Sequence, residues 1–142
     1  MASIGRGARI KGNNFERKVS KIITPWWSYL KDKIISFRRV PNSGGLNIKG
    51  DIMTEDLTDM KDFPLHLELK CQERFNVNDY YKQASHDAPE GKIPTVIFSK
   101  NNDDIYIMMT LNNFIDFTKK IKDENKQKEF TCQTIPKTQS EN

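Results

Sequence analysis

Three residues in two short stretches have the types and spacing of a hydrolytic metal site. In Leu67-Glu68-Leu69-Lys70, Glu68 and Lys70 stand two apart, so on a strand both side chains share one face. Upstream, Lys49-Gly50-Asp51-Ile52 puts an acid directly after a glycine. A hairpin between the two stretches would lay Asp51 alongside Glu68. Two hard oxygen ligands of this kind hold Mg²⁺ or Mn²⁺, with waters and often a backbone carbonyl completing the octahedron. Such an ion activates water and neutralises the charge that builds on a phosphodiester in its transition state. Lys70 would orient the attacking water or balance that charge. A bare Glu-x-Lys is also an ordinary solvent-facing strand pattern, so the elements that position the trio must decide.

Residues 1–11 are basic and glycine-containing, the composition of a flexible arm. Asn13 or Asn14 can cap a helix from Phe15, in which Phe15, Val19, Ile22 and Ile23 form one apolar stripe with Glu16 beside it. Thr24-Pro25 predicts a bend and a second helical segment carrying Trp26 and Trp27, which read as core or interface anchors. Ile34 to Val40 has strand character and stops at Pro41. Asn42-Ser43-Gly44-Gly45 is a turn or mobile loop, and Ile48 to Met53 a second strand. The acidic run Thr54 to Asp62 reads as a connecting loop. Phe63 to Lys70 is a third strand, with Leu65, Leu67 and Leu69 facing opposite His66, Glu68 and Lys70.

A helix follows, capped by Asn78 or Asp79 and running to about Ala88. Ile93 to Ser99 and Ile105 to Thr110 form a hairpin around Asn101-Asn102-Asp103-Asp104, which lacks the ligand series of an EF-hand. Leu111 to Lys122 is an amphipathic helix, and residues 125–142 read as a loosely held polar tail. The order α-βββ-α-ββ-α predicts an α/β domain over residues 12–124, with a five-stranded mixed sheet flanked by helices.

The 142 residues suit one domain; 36% are hydrophobic and 30% charged. No apolar run approaches the roughly 20 residues of a membrane span, and Met1 to Arg6 lacks a signal core. Cys71 and Cys132 have neither CxxC spacing nor a histidine cluster, against structural zinc or a disulfide scaffold. A soluble protein of a reducing intracellular compartment is expected, in the cytoplasm or a virus-infected cell. The net charge of +4 is uneven: residues 1–50 hold eleven Lys/Arg against Glu16 and Asp32, and the remainder is acidic. A basic N-terminal third suggests a polyanion partner, with Arg6, Arg9, Lys11, Arg17, Lys18, Arg38, Arg39 and Lys49 as candidate DNA contacts. A merely solvated basic surface is the alternative.

The pattern Glu16, Asp51, Glu68-Leu69-Lys70 resembles the PD-(D/E)XK nuclease superfamily. Within it, Arg39-Val40-Pro41-Asn42-Ser43-Gly44-Gly45 followed by Lys49-Gly50-Asp51-Ile52 is similar to archaeal-type and viral Holliday junction resolvases. The resemblance covers residues 5–110 and rests on motif order. It implies a restriction-endonuclease-like nuclease domain over 12–124. Asp51, Glu68 and the Leu69 backbone carbonyl would be metal ligands for Mg²⁺, with Mn²⁺ substituting. Lys70 would be the catalytic lysine and Glu16 the helix glutamate that reaches the metal's water shell. Ser43 would lie in the loop approaching the scissile strand, and Gln83 would take the place of an active-site glutamine. Gly50 stands where many relatives have proline, as in the resolvase branch.

The function implied is a Mg²⁺-dependent endonuclease of DNA recombination or repair, making symmetric nicks in four-way junctions as a homodimer, with no nucleotide cofactor and no membrane partner. Two alternatives stand beside it: a restriction-like, nicking or repair nuclease of the same fold, and a non-catalytic DNA-binding module. His66 shares a face with Glu68, but a surface or hydrogen-bonded histidine is the simpler reading, as it is for His86. Cys71 should pack on the face opposite Lys70.

Overall fold

A computed structural model describes residues 4–41 and 49–133. The chain divides into two units, residues 1–109 and 110–142, described in turn. The first opens with a 28-residue helix, α1 (Ile4–Lys31), followed by two short strands, β1 (Phe37–Arg39) and β2 (Ile52–Thr54). A one-and-a-half-turn helix, α2 (Leu57–Asp62), leads into β3 (Leu65–Cys71). Helix α3 (Val77–Asp87) crosses over to β4 (Ile93–Ser99), and a tight turn returns β5 (Tyr106–Met108). The second unit is the helix α4 (Leu111–Gln133).

β1 and β2 form an antiparallel pair, from Phe37 opposite Thr54 to Arg39 opposite Ile52. β3 and β4 run parallel over seven residues, Leu65 opposite Ile93 to Cys71 opposite Ser99, and β5 adds antiparallel to β4. Parallel strands need a crossover, which α3 supplies, and α3 packs on both strands it joins. α1 packs against β1 and β3. Its buried stripe is Phe15, Val19, Ile23 and Trp27, a strict four-residue repeat. Trp27 meets Phe63 edge-on at 5.0 Å between ring centres, and Phe37 meets Phe63 at 4.9 Å. These rings, with Met53 and Val96, form the core.

The end of α1 is tied to β1 by two hydroxyls. Ser28 Oγ donates to the Ile35 carbonyl and accepts from the Ile35 N–H, both at 2.9 Å. Thr24 Oγ1 accepts from the Phe37 N–H at 3.0 Å. These bonds fix where β1 starts and which way Arg38 and Arg39 point.

Several expectations are corrected. The five strands lie in two sheets, of two and three strands, rather than in one. The interruption falls at Asp51, whose carboxylate takes the Leu69 N–H (2.8 Å) in place of a backbone acceptor and so stops the ladder between β2 and β3. Residues from Ile4 onward are helical rather than a loose arm, because extending a helix from a packed segment adds a hydrogen bond per residue without a new nucleus. The helix also continues through Pro25. Thr24 Oγ1 bonds back to the Ser20 carbonyl, and burial of Ile23 and Trp27 on either side of the proline holds both halves to one core. Ile22, expected in the core, is half-exposed.

The acidic loop contains α2, capped by Asp56, whose carboxylate accepts from the Thr58 N–H at 2.9 Å. The cap of α3 is Asn76, not Asn78 or Asp79. α4 runs past residue 125 to Gln133, into the expected tail. Among the described residues no helix is long and apolar enough to cross a membrane.

Candidate active site

Asp51 is set by the residue before it. Gly50 has φ +101°, a conformation that side-chain-bearing residues rarely adopt. A Cβ there would stand 3.3 Å from the Leu67 carbonyl and 3.5 Å from the His66 ring. Through this turn Asp51 approaches β3 twice: its N–H donates to the Leu67 carbonyl (3.3 Å) and its Oδ2 accepts from the Leu69 N–H (2.8 Å). The Asp51 carbonyl in turn accepts from the Val40 N–H at 3.0 Å, tying β1 to the same point. Gly50→Ala is therefore expected to destabilise the fold by about 1–3 kcal/mol and to displace Asp51, read as a lower midpoint of chemical unfolding and a loss of metal-dependent activity.

Glu68 is buried, 6% exposed, and its Oε1 lies 3.3 Å from Nε2 of His66, itself 3% exposed. Lys70 is half-buried on the same strand and lies 5.6 Å from the ring centre of Tyr80, a cation–π contact. Tyr80 is anchored by its hydroxyl to Gln72. Glu16, on α1, accepts from Arg39 Nε at 2.6 Å, while the second arm of that guanidinium reaches Asn13 Oδ1 at 2.6 Å. Glu68, Glu16 and Lys70 each lie within Coulombic range of Asp51. Burial raises the Asp51 carboxyl pKa to about 6, and the like charges of Glu68 and Glu16 add to the rise. The Leu69 N–H and Lys70 pull the other way without cancelling it.

Of the remaining sequence candidates, Ser43 lies outside the described residues. Gln83 is exposed on α3. Arg6, Arg9, Arg17, Lys18, Arg38 and Lys49 are exposed, and Lys11 half-exposed, as DNA contacts require. Arg39 is held by Glu16 and Asn13 and is part of the acidic cluster's own framework. His66, Tyr80 and Asn13 were not selected from the sequence. The signal for His66 was its place two residues before Glu68, and the contrary signal was strand alternation.

The donor set suits a hard divalent cation. Mg²⁺ is commonly held by one or two carboxylates with waters making up the octahedron, and Asp51 and Glu68 with the Leu69 carbonyl could supply that set. Among the described residues no three His, Cys, Asp or Glu side chains gather closely enough to enclose an ion. Glu68 is turned to His66 and Glu16 to Arg39. The arrangement offers two carboxylates rather than a cage. Among the described residues the Asp51 carboxylate accepts its hydrogen bond from the Leu69 N–H, and burial is the main cause of its raised pKa.

Beside the cluster runs an open groove of about 350 Å³ lined by Arg17, Ser20, Lys21, Phe37, Arg38 and Arg39. Arg6, Arg9, Asn13, Arg17 and Lys21 follow one another at three- and four-residue steps, so they stripe one side of α1 leading into it. Lys21, absent from the sequence candidates, is part of this basic wall.

No curated protein and no solved structure matches the chain. A family model described as "Phage putative PDDEXK endonuclease" matches residues 7–142, all but the first six positions. The match takes in Glu16, Asp51, Glu68 and Lys70 together, and by it the chain belongs to this family of the PD-(D/E)XK nucleases.

Proposed function

We propose that the protein is a Mg²⁺-dependent endodeoxyribonuclease that cuts branched DNA, a Holliday junction resolvase acting as a homodimer. The observation that carries the reading is the double engagement of Asp51 with β3, because it sets one half-buried carboxylate within Coulombic range of Glu68 and Lys70. The proposed site residues lie in the first unit, within the 12–124 segment expected to be the nuclease domain. Asp51, Glu68 and the Leu69 carbonyl would hold the ion. A bound Mg²⁺, or Mn²⁺ in its place, supplies Lewis acidity toward water and phosphate. Lys70, steered by Tyr80, would orient the attacking water and offset negative charge developing on the phosphate. Glu16, fixed by Arg39, would accept hydrogen bonds from water around the ion. Ser43 is proposed to approach the scissile strand, and Gln83 to assist from α3. The basic groove and the stripe on α1 would hold the DNA backbone.

Junction resolution needs two nicks in register, which a two-fold dimer provides. The test is a panel of synthetic substrates with Mg²⁺: four-way junction, flap, single strand and plain duplex. The junction is expected to be cut at paired symmetric positions at least about tenfold faster than the duplex. Equal cutting of duplex and junction would leave a restriction-like, nicking or repair nuclease and sink the resolvase reading. Salt-dependent binding with no cleavage in Mg²⁺ or Mn²⁺ would leave a DNA-binding module.

A further inference from the structure

Neither the family match nor the resemblance assigns a role to His66, yet it is among the most buried polar side chains of the protein, 3% exposed. It sits on β3 two residues before Glu68 and on the same face, so strand geometry alone brings the two side chains together. Its Nε2 lies 3.3 Å from Glu68 Oε1. A glutamate that ligates a metal is an acceptor only, so this contact requires the proton to be on Nε2. The adjoining Nδ1–Cε1 edge of the ring faces Gly50: a Cβ there would stand in van der Waals contact with both atoms, at 3.5 Å. The imidazole therefore borders both the turn that delivers Asp51 and the carboxylate of Glu68.

We infer that His66 is a positioning residue for the metal site: it holds one oxygen of Glu68 by an Nε2–H hydrogen bond and leaves the other to face the ion beside Asp51. The inference rests on the reading of Asp51 and Glu68 as metal ligands. A buried glutamate has three side-chain torsions to fix, and a carboxylate tethered through one oxygen loses most of that freedom before the ion arrives. Outer partners of this kind are worth about 10–100-fold in metal affinity.

The experiment is calorimetric titration of the full chain with Mn²⁺ alone, alongside cleavage kinetics. His66→Leu keeps the buried volume and removes the donor; Mn²⁺ affinity should fall roughly 10–100-fold, and kcat should fall while KM for DNA holds. His66→Gln places an amide N–H near the Nε2 position and should bind Mn²⁺ within about threefold of wild type. His66→Asn is too short to place one there and should behave like the leucine variant. Asp51→Asn should lose Mn²⁺ binding altogether. If Asp51→Asn loses the ion while His66→Leu binds it as wild type does, the positioning role is wrong and the site reading stands. If Asp51→Asn also binds Mn²⁺ unchanged, the site reading itself is wrong. Should His66→Leu fail to fold, the Gln and Asn variants decide, and equal Mn²⁺ affinity in those two overturns the inference.

Discussion

Asp51→Asn is expected to lower cleavage by roughly 10²–10³-fold or more while DNA binding is kept or tightened, and to make the metal-free protein more stable. The first effect follows from the proposed role of Asp51 as a metal ligand, whose charge the substitution removes. The second comes from the burial of its carboxylate. Its pKa in the folded chain is about 6, against an ordinary value of 3.8. The folded state therefore holds this proton more tightly than the unfolded state does. Stability falls as pH rises through that interval, and the full penalty applies above it. Two pKa units correspond to about 3 kcal/mol, an upper figure for a half-buried group.

Asparagine keeps an oxygen that can accept from the Leu69 N–H and carries no charge to bury. In chelator at pH 7 to 8 the variant should melt roughly 5–10 °C higher than wild type, and below about pH 4 the two should converge. Added Mn²⁺ should close the gap by stabilising wild type only, by about 2.7 kcal/mol at a hundredfold excess over Kd. Thermal melts across pH, with and without Mn²⁺, check all three. Unchanged cleavage would remove Asp51 from the mechanism, and an unchanged melt at pH 8 would show that its burial costs the fold nothing.

The elements of the candidate site were legible because chemistry and period agreed there. Glu68 and Lys70 share a face by strand geometry alone, and an acid after glycine one hairpin upstream had few other places to go. The depth of the site was not legible. Alternation of Leu65, Leu67 and Leu69 with His66 and Glu68 suggested a half-exposed strand, yet all five residues are buried. β3 pairs in parallel with β4 through the α3 crossover, and parallel strands are covered on both faces. The strand–helix–strand order of that region held the warning, and it was outweighed by period-2 polarity. Arg39 shows a different limit. Composition counts it with the DNA-facing cations, but its partner Glu16 lies 23 positions away, on α1, and only the fold puts them 2.6 Å apart. Pro25 misled because a missing N–H is a local cost, while the burial of Ile23 and Trp27 on one core is a larger tertiary gain.

Neutralising the exposed cations of the groove should weaken DNA binding in a way that neutralising Arg39, which also lines it, does not. Arg17, Lys21 and Arg38 line the groove and are exposed. Replacing all three with alanine should cost the fold little, within about 0.5 kcal/mol per site. Each lost phosphate contact removes close to one released counterion, so the slope of log affinity against log salt should become shallower by roughly 2–3. Between 50 and 200 mM salt, wild type should then lose roughly 40-fold more of its affinity than the triple variant does. Arg39→Ala belongs to another class. Its guanidinium is already spent on Glu16 and Asn13, so its removal should leave the salt slope nearly unchanged, release the Glu16 carboxylate, and lower cleavage instead. Fluorescence anisotropy on a labelled junction over a salt series separates the two. A triple variant with the wild-type slope would move the DNA off this groove, and an Arg39→Ala slope shallower by a full unit would return Arg39 to the phosphate contacts.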